Sequence, residues 1–238
     1  MVKANERLIV ALDVPTVGEA MRLVTSLTGI VSFFKIGLEL QFDAGRSFVE
    51  QLIKRELQVF LDLKFFDVEE TVHRAVARVS DMGAHFLTVH GNKGILKAAV
   101  EGRGKSPLKI LAVTVLTHMD KADLQDMGLG CAVADLALHR ARMAMEMGCD
   151  GVIASGREAL GIREQSGDRF LLVVPGVRQA GGPVNDHKRS VTPASAIAAG
   201  ADYLVVGRPI RDAVDPQAAA QNIIVEMQSA FDARPART

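Results

Sequence analysis

The stretch VFLDLKFFD, Val59 to Asp67, is apolar enough for a buried strand, yet it carries Asp62, Lys64 and Asp67. Side chains alternate across a strand, so Asp62 and Lys64 share one face while Leu61, Leu63 and Phe65 share the other. The apolar face calls for a covering layer of helices. The charged face calls for a cavity, because an ion in a sealed core costs several kcal/mol to desolvate, roughly, and often returns nothing over an apolar residue.

Working outward, the same kind of segment recurs. Short apolar runs read as strands in RLIVALDV, SFFKIGLEL, QVFLDLKFF, HFLTVHG, LKILAVTVLT, DGVIASG, FLLVVPGV and DYLVVGRPI. Amphipathic stretches lie between them, among them GEAMRLVTSL, SFVEQLIKRE, EETVHRAVARVSDMG and VADLALHRARMAMEMG. Gly83, Gly148 and Gly200 stand just before the next strand, as helix-stopping residues do. Strict alternation without a linker-like break predicts a parallel sheet. Eight such units in 238 residues predict an α/β fold of the closed (β/α)8 TIM-barrel type, with residues 1–238 as one domain. The second strand repeats the pattern of the third: Phe34, Ile36 and Leu38 face the helices while Lys35 faces inward. The first strand ends with Asp13 at the matching position.

Composition narrows the function. Lys plus Arg and Asp plus Glu number 28 each, so no global field points to nucleic acid or a membrane surface. A site for an anion must therefore be built locally. Hydrophobic residues make up 48% of the chain, enough for a large core. Cys131 and Cys149 lack metal-type spacing and read as free thiols. The first apolar run is cut short by Asp13, and no run approaches the roughly 20 residues that span a bilayer. A soluble, cytoplasmic protein is expected.

Asp13, Lys35, Asp62 and Lys64 all fall at strand ends facing inward, with Asp67 just beyond. A structural ion pair is the plain alternative, but clusters of this kind mark functional sites. A Schiff-base lysine must be neutral part of the time. Carboxylates at Asp62 and Asp67 instead favour the Lys64 ammonium, which suits proton delivery or stabilisation of a carbanion. At the other end of the chain, VPGVRQAGGPVNDHKR follows strand seven and VVGRPI ends strand eight. Loops after strands seven and eight commonly bind phosphate in such barrels. Arg178 and Arg208 supply fork-shaped donors there, and Gly181, Gly182 and Gly207 permit close backbone approach. His90 ends strand four and is a lesser candidate to line the cavity. Met143, Met145 and Met147 read as helix packing, and no metal-ligand cluster is apparent. The tail DARPART reads as frayed.

Together these residues resemble the orotidine 5′-phosphate decarboxylases. The family's central motif has the form DxKxxDxxxT, and here DLKFFDVEET supplies Asp62, Lys64, Asp67 and Thr71. The resemblance extends over nearly the whole chain, through ALDV (Asp13), FFKIGLEL (Lys35), VTVLT (Thr117), VPGVR (Pro175, Arg178) and VVGRPI (Gly207, Arg208). It implies cofactor-free conversion of orotidine 5′-monophosphate to uridine 5′-monophosphate. Lys64 would stabilise and protonate the C6 carbanion within a Lys35–Asp62–Lys64–Asp67 network. Asp13 and Lys35 would bind the ribose, Thr117 would lie near the pyrimidine, and Arg178 and Arg208 would hold the phosphate. Asp67 and Thr71 would reach the neighbouring subunit's site, making a homodimer with shared active sites.

Three features depart from the common bacterial pattern. Phe66 precedes the second aspartate and Val68-Glu69 follows it without a proline. His187 stands where a phosphate-loop glutamine is usual, and HGNKG replaces a small-residue loop after strand four. A magnesium-dependent sister group, the sugar-phosphate decarboxylases and hexulose-phosphate synthases, shares the DxKxxD core but continues with Ala-Gly, which DVEET lacks. A nucleotide-binding barrel without catalysis is the other alternative.

Overall fold

The structure, a computed structural model, describes residues 3–178 and 191–234. Those residues form strands β1 Leu8–Ala11, β2 Phe33–Ile36, β3 Gln58–Phe65, β4 Phe86–Val89, β5 Lys109–Val113, β6 Gly151–Ile153, β7 Leu171–Pro175 and β8 Tyr203–Val206. All neighbours pair in parallel, and β8 pairs with β1 to close the barrel. The outer layer comprises α1 Val17–Ser26, α2 Leu38–Lys54, α3 Glu69–Ser80, α4 Lys93–Arg103, α6 Val133–Glu146, α7 Ala159–Ser166, α8 Pro193–Ala198 and α10 Pro216–Ala233. Two short extra helices, α5 Lys121–Asp126 and α9 Arg208–Arg211, follow β5 and β8. This is the expected (β/α)8 barrel.

Helix α3 shows how local sequence sets the outer layer. Val72, Val76 and Val79 recur at helical spacing and are buried, while Glu69 and Glu70 sit in the first turn and Arg78 in the last, matching the helix dipole. Gly83, Gly148 and Gly200 adopt the positive φ that ends a helix cleanly.

Two apolar cores result from the alternation along the strands. Val10, Phe34, Ile36, Val59, Leu61, Leu87 and Val89 face outward and pack with the helices. Ile9, Ala11, Phe33, Phe60, Phe86, Leu111, Val173 and Val205 fill the barrel itself. Phe33 and Phe86 meet edge to face at 4.9 Å, and Phe86 meets Tyr203 at 5.1 Å. The Arg7 guanidinium covers the Tyr203 ring at 4.5 Å. Each buried phenylalanine contributes on the order of 1.5–3 kcal/mol. The lower barrel is thereby plugged.

Three expectations are corrected. The second strand stops at Ile36, and Leu38 does not face the helices from a strand. It opens α2 and is exposed, because Gly37 turns the chain over the barrel rim. Asp13 lies two residues beyond the end of β1 rather than on it. The even alternation along Asp62–Phe65 is broken: the pairing with β4 shifts between Leu61 and Phe65, and Lys64 has φ +49°. The methionines do pack as expected, with Met143, Met145 and Met147 partly buried against the helix-side core. Both cysteines are free. Burial pushes the Cys149 thiol up to about 12, with Asp150 adding to the shift, so it is no nucleophile near neutrality. Among the described residues, no helix is long and apolar enough to cross a membrane.

Candidate active site

The inner face of each strand continues upward from the apolar plug. Two residues above Phe33 comes Lys35, and above Phe60 come Asp62 and Lys64. The β2–β3 register sets Lys35 beside Phe60, so its side chain reaches the Asp62 level. The parallel register of β2 and β3 thus delivers these groups to one layer, just over the last apolar ring.

Within that layer the contacts are short. Lys35 Nζ donates to Asp13 Oδ1 at 2.8 Å and lies 3.5 Å from Asp62 Oδ2. Lys64 Nζ donates to Asp62 Oδ1 at 2.8 Å. The Thr88 hydroxyl, from β4, donates to the same oxygen at 3.0 Å. Gly37 makes room for the first of these pairs. A Cβ there would stand 3.1 Å from Asp13 Oδ1 and 3.2 Å from Lys35 Nζ, so these flexible side-chain ends would have to shift slightly.

Electrostatics follow from this packing. Burial pushes the Lys35 ammonium toward neutrality, but the Asp62 and Asp13 carboxylates outweigh it and raise its pKa. Burial likewise opposes the Asp62 charge, and Lys35 and Lys64 outweigh it, holding this carboxyl below its ordinary range. Lys35 and Asp62 are therefore both charged at neutral pH. Lys64 is the most open of the three, at 34% side-chain exposure against 9% for Lys35 and 17% for Asp62.

These groups border a cavity of about 540 Å³, and Thr117, Pro175, Arg178, Gly207 and Arg208 line it too. Arg208 opens α9 directly after β8, and Arg178 Nη1 donates to the Val177 carbonyl at 2.7 Å. His187, Gly181 and Gly182 lie outside the described residues. Asp67 and Thr71 do not line this chain's cavity; both are exposed, and Asp67 Oδ1 accepts the Val68 N–H at 2.7 Å. His90 does not line it either. Its ring meets Phe66 edge to face at 5.8 Å and stands 3.4 Å from Arg140, and its pKa is lowered by burial, then by Arg140 and Lys64.

The sequence reading missed Thr88 and Arg211. Arg211 lines the cavity and donates to the Asp13 backbone carbonyl, tying the loop after β1 to α9. Its only sequence signal is its place one turn beyond Arg208. Thr88 had a clearer one, since it stands two residues after Phe86 as Asp62 stands two after Phe60. The two phenylalanines are register partners. Among the described residues, no group of three or more His, Cys, Asp or Glu is arranged to hold a metal ion.

Lysines and arginines lining one cavity at the C-terminal ends of barrel strands define an enzyme-type barrel site for a small anionic molecule. The comparisons sharpen that class. The chain belongs to the orotidine 5′-phosphate decarboxylase / HUMPS family, whose model matches residues 6–223. It is 52% identical over 228 residues to an orotidine 5′-phosphate decarboxylase of Nitrobacter winogradskyi, covering 96% of this chain and 95% of the relative. A relative of the same name from Methylococcus capsulatus is 50% identical over 231 residues, covering 96% of this chain and 94% of its own. The crystal structure of orotidine 5′-phosphate decarboxylase from Lactobacillus acidophilus superposes with a TM-score of 0.82 at 35% identity, covering 93% of this chain and 99% of that one.

Proposed function

We propose that this protein decarboxylates orotidine 5′-monophosphate to uridine 5′-monophosphate, a step of pyrimidine biosynthesis. The observation that carries the proposal is the Asp62 carboxylate held between the Lys35 and Lys64 side chains at the cavity floor. The names of relatives at about half identity support the choice of substrate.

The chemistry then runs as follows. The C6–carboxylate bond breaks, carbon dioxide leaves, and the electron pair stays on C6. Lys64 Nζ stabilises this carbanion and gives it a proton, and solvent reprotonates the lysine. Asp62 sits beside the departing carboxylate, and Lys35 holds Asp62 ionised while sharing Asp13 with the ribose hydroxyls. Thr117 and Pro175 flank the pyrimidine. Arg178, Arg208 and the Gly207 backbone take the phosphate, with His187 assigned to the same loop. This arrangement stabilises charge where it develops, which supplies the largest part of many rate enhancements.

Asp67 and Thr71 act, in this proposal, in the partner's cavity of a homodimer. What supports this is their exposure at the rim, beside Phe66 and Val68, each 69% exposed. Apolar side chains left so open beside a charged motif suit burial against a second copy. The protein is further proposed to be a single barrel domain acting in the cytoplasm.

One assay tests the central claim. Purified protein mixed with orotidine 5′-monophosphate in EDTA should bleach the orotate chromophore. No bleaching in EDTA, with activity restored by magnesium on a sugar phosphate, would move the protein to the HUMPS side of its family. Tight uridine 5′-monophosphate binding without turnover would leave only a nucleotide-binding barrel.

A further inference from the structure

We infer that Thr88 is a positioning residue for Lys64, acting through the hydroxyl it places between the Lys64 backbone and the Asp62 carboxylate; this rests on the decarboxylase reading above. The starting point is a bulge. Leu61 pairs with Leu87 and Phe65 with Val89, so Asp62, Leu63 and Lys64 of β3 all stand against the single residue Thr88 of β4. Extra residues of this kind leave a ladder N–H unpaired and re-aim a side chain, and they recur beside active sites.

Lys64 bears the consequence. Its φ of +49° lies in the left-handed region, which only Glu56 shares among the described non-glycine residues. A lysine there is strained by contact between its Cβ and the backbone, and such strain persists only where surroundings over-determine it. Its N–H donates to Thr88 Oγ1 at 3.0 Å instead of to a strand carbonyl. The same Thr88 oxygen donates its own proton to Asp62 Oδ1 at 3.0 Å, and Asp62 Oδ1 accepts Lys64 Nζ at 2.8 Å. A closed ring of three hydrogen bonds therefore runs from the Lys64 main chain through Thr88 and Asp62 to the Lys64 ammonium.

Thr88 is suited to this task for two reasons. It is fully buried, so water does not compete for either bond. As a β-branched residue its χ1 is stiff, which pre-aims the hydroxyl before substrate binds. Without that hydroxyl the Lys64 N–H would be buried without a partner and Asp62 would lose a donor. The ammonium would then rest away from C6. The Asp13–Lys35 pair assigned to the ribose, and Arg178 and Arg208 assigned to the phosphate, make no bond to Thr88.

The test compares Thr88→Val, which keeps the shape and removes the hydroxyl, with Thr88→Ser, which keeps the hydroxyl. Thr88→Val should lower kcat by about 10- to 100-fold, the range for one hydrogen bond to a charged group, with KM nearly unchanged. Thr88→Ser should restore most of the rate. Wild-type kcat in Thr88→Val overturns the inference, as does a loss confined to KM. Equal losses in both variants overturn it too, since packing rather than the hydroxyl would then be at stake. If Thr88→Val does not fold, Thr88→Ser against Thr88→Ala carries the same comparison. Wild-type enzyme run alongside separates the two claims: an inactive wild type removes the decarboxylase reading and this inference together, while an active one isolates Thr88.

Discussion

Lys64 Nζ and Asp62 Oδ1 are 2.8 Å apart although their residues are only two positions apart on one strand. Side chains at i and i+2 share a face, but they usually stand parallel rather than converge. Convergence here comes from the left-handed turn at Lys64, which tips its side chain back over Asp62. The Lys64 side chain is thereby held at the cavity floor against Asp62.

Lys64→Ala should remove detectable turnover while the barrel stays folded. Asp62 keeps Lys35 and Thr88 as partners in that variant, so no buried charge is orphaned. Circular dichroism and the chromophore assay check both halves. Wild-type-like decarboxylation would sink the assignment of Lys64 as proton donor.

Asp62→Ala should cost more in stability than Lys64→Ala. It leaves two ammoniums facing one another, and breaking a buried pair from one side costs about 3–5 kcal/mol. Lys35 retains Asp13, which puts the expected loss near the lower end, at about 3 kcal/mol. Urea unfolding of the two variants gives the comparison, and equal midpoints would show that Asp62 carries no structural share.

The network also sets a pH dependence. Asp62 titrates below its ordinary 3.8, so its stabilisation is complete above that value and disappears as pH falls through the depressed one. Lys35 titrates above its ordinary 10.5, so its stabilisation is complete below that value and disappears as pH rises through the raised one. The stability gap between wild type and Asp62→Asn should be flat from about pH 5 to 9 and should narrow in acid. A gap that widens below pH 3.8 would contradict the assigned charges.

If Asp67 works in the partner's site, two dead variants should help each other. Mixing Asp67→Ala with Lys64→Ala places both defects in one site of a mixed dimer and leaves the other site intact. Partial activity should return in proportion to subunit exchange. Exchange shown by labelled chains without any recovered activity would end the shared-site proposal.

Arg208→Ala separates binding from bond breaking. The phosphate is remote from C6, yet its binding energy can be used to close the site around the reacting end. Losing one side of a buried charged contact costs roughly 2–5 kcal/mol, or about 10- to 10³-fold in kcat/KM, somewhat more at the upper end. Orotidine, which lacks the phosphate, should react very poorly with both proteins and should show little difference between them. An equal loss on both substrates would mean that Arg208 supports the barrel instead.

Much of this was legible in the chain itself. Alternation of apolar runs with amphipathic ones declared a closed barrel, because covering helices and a plugged interior leave different two-residue and helical periods in the sequence. The period of two also put Lys35, Asp62 and Lys64 on the inward face, and the DLKFFDVEET motif gave them a family. What stayed hidden depends on contacts between distant residues. Local pattern does not say that β2 ends at Ile36, since FKIGLEL is apolar on both sides of the rim that Gly37 crosses. Thr88 lies 26 residues from Asp62, and its place two after Phe86 becomes a signal only once Phe60 and Phe86 are paired in register. Only the register of β3 against β4 makes it the partner of a three-residue bulge and leaves Lys64 in a left-handed turn. Strand periodicity is a property of neighbouring residues, so sequence alone determined that Lys35 and Asp62 would face inward. Distance and direction between charges depend on how separate strands align, and that was decided only when the barrel closed.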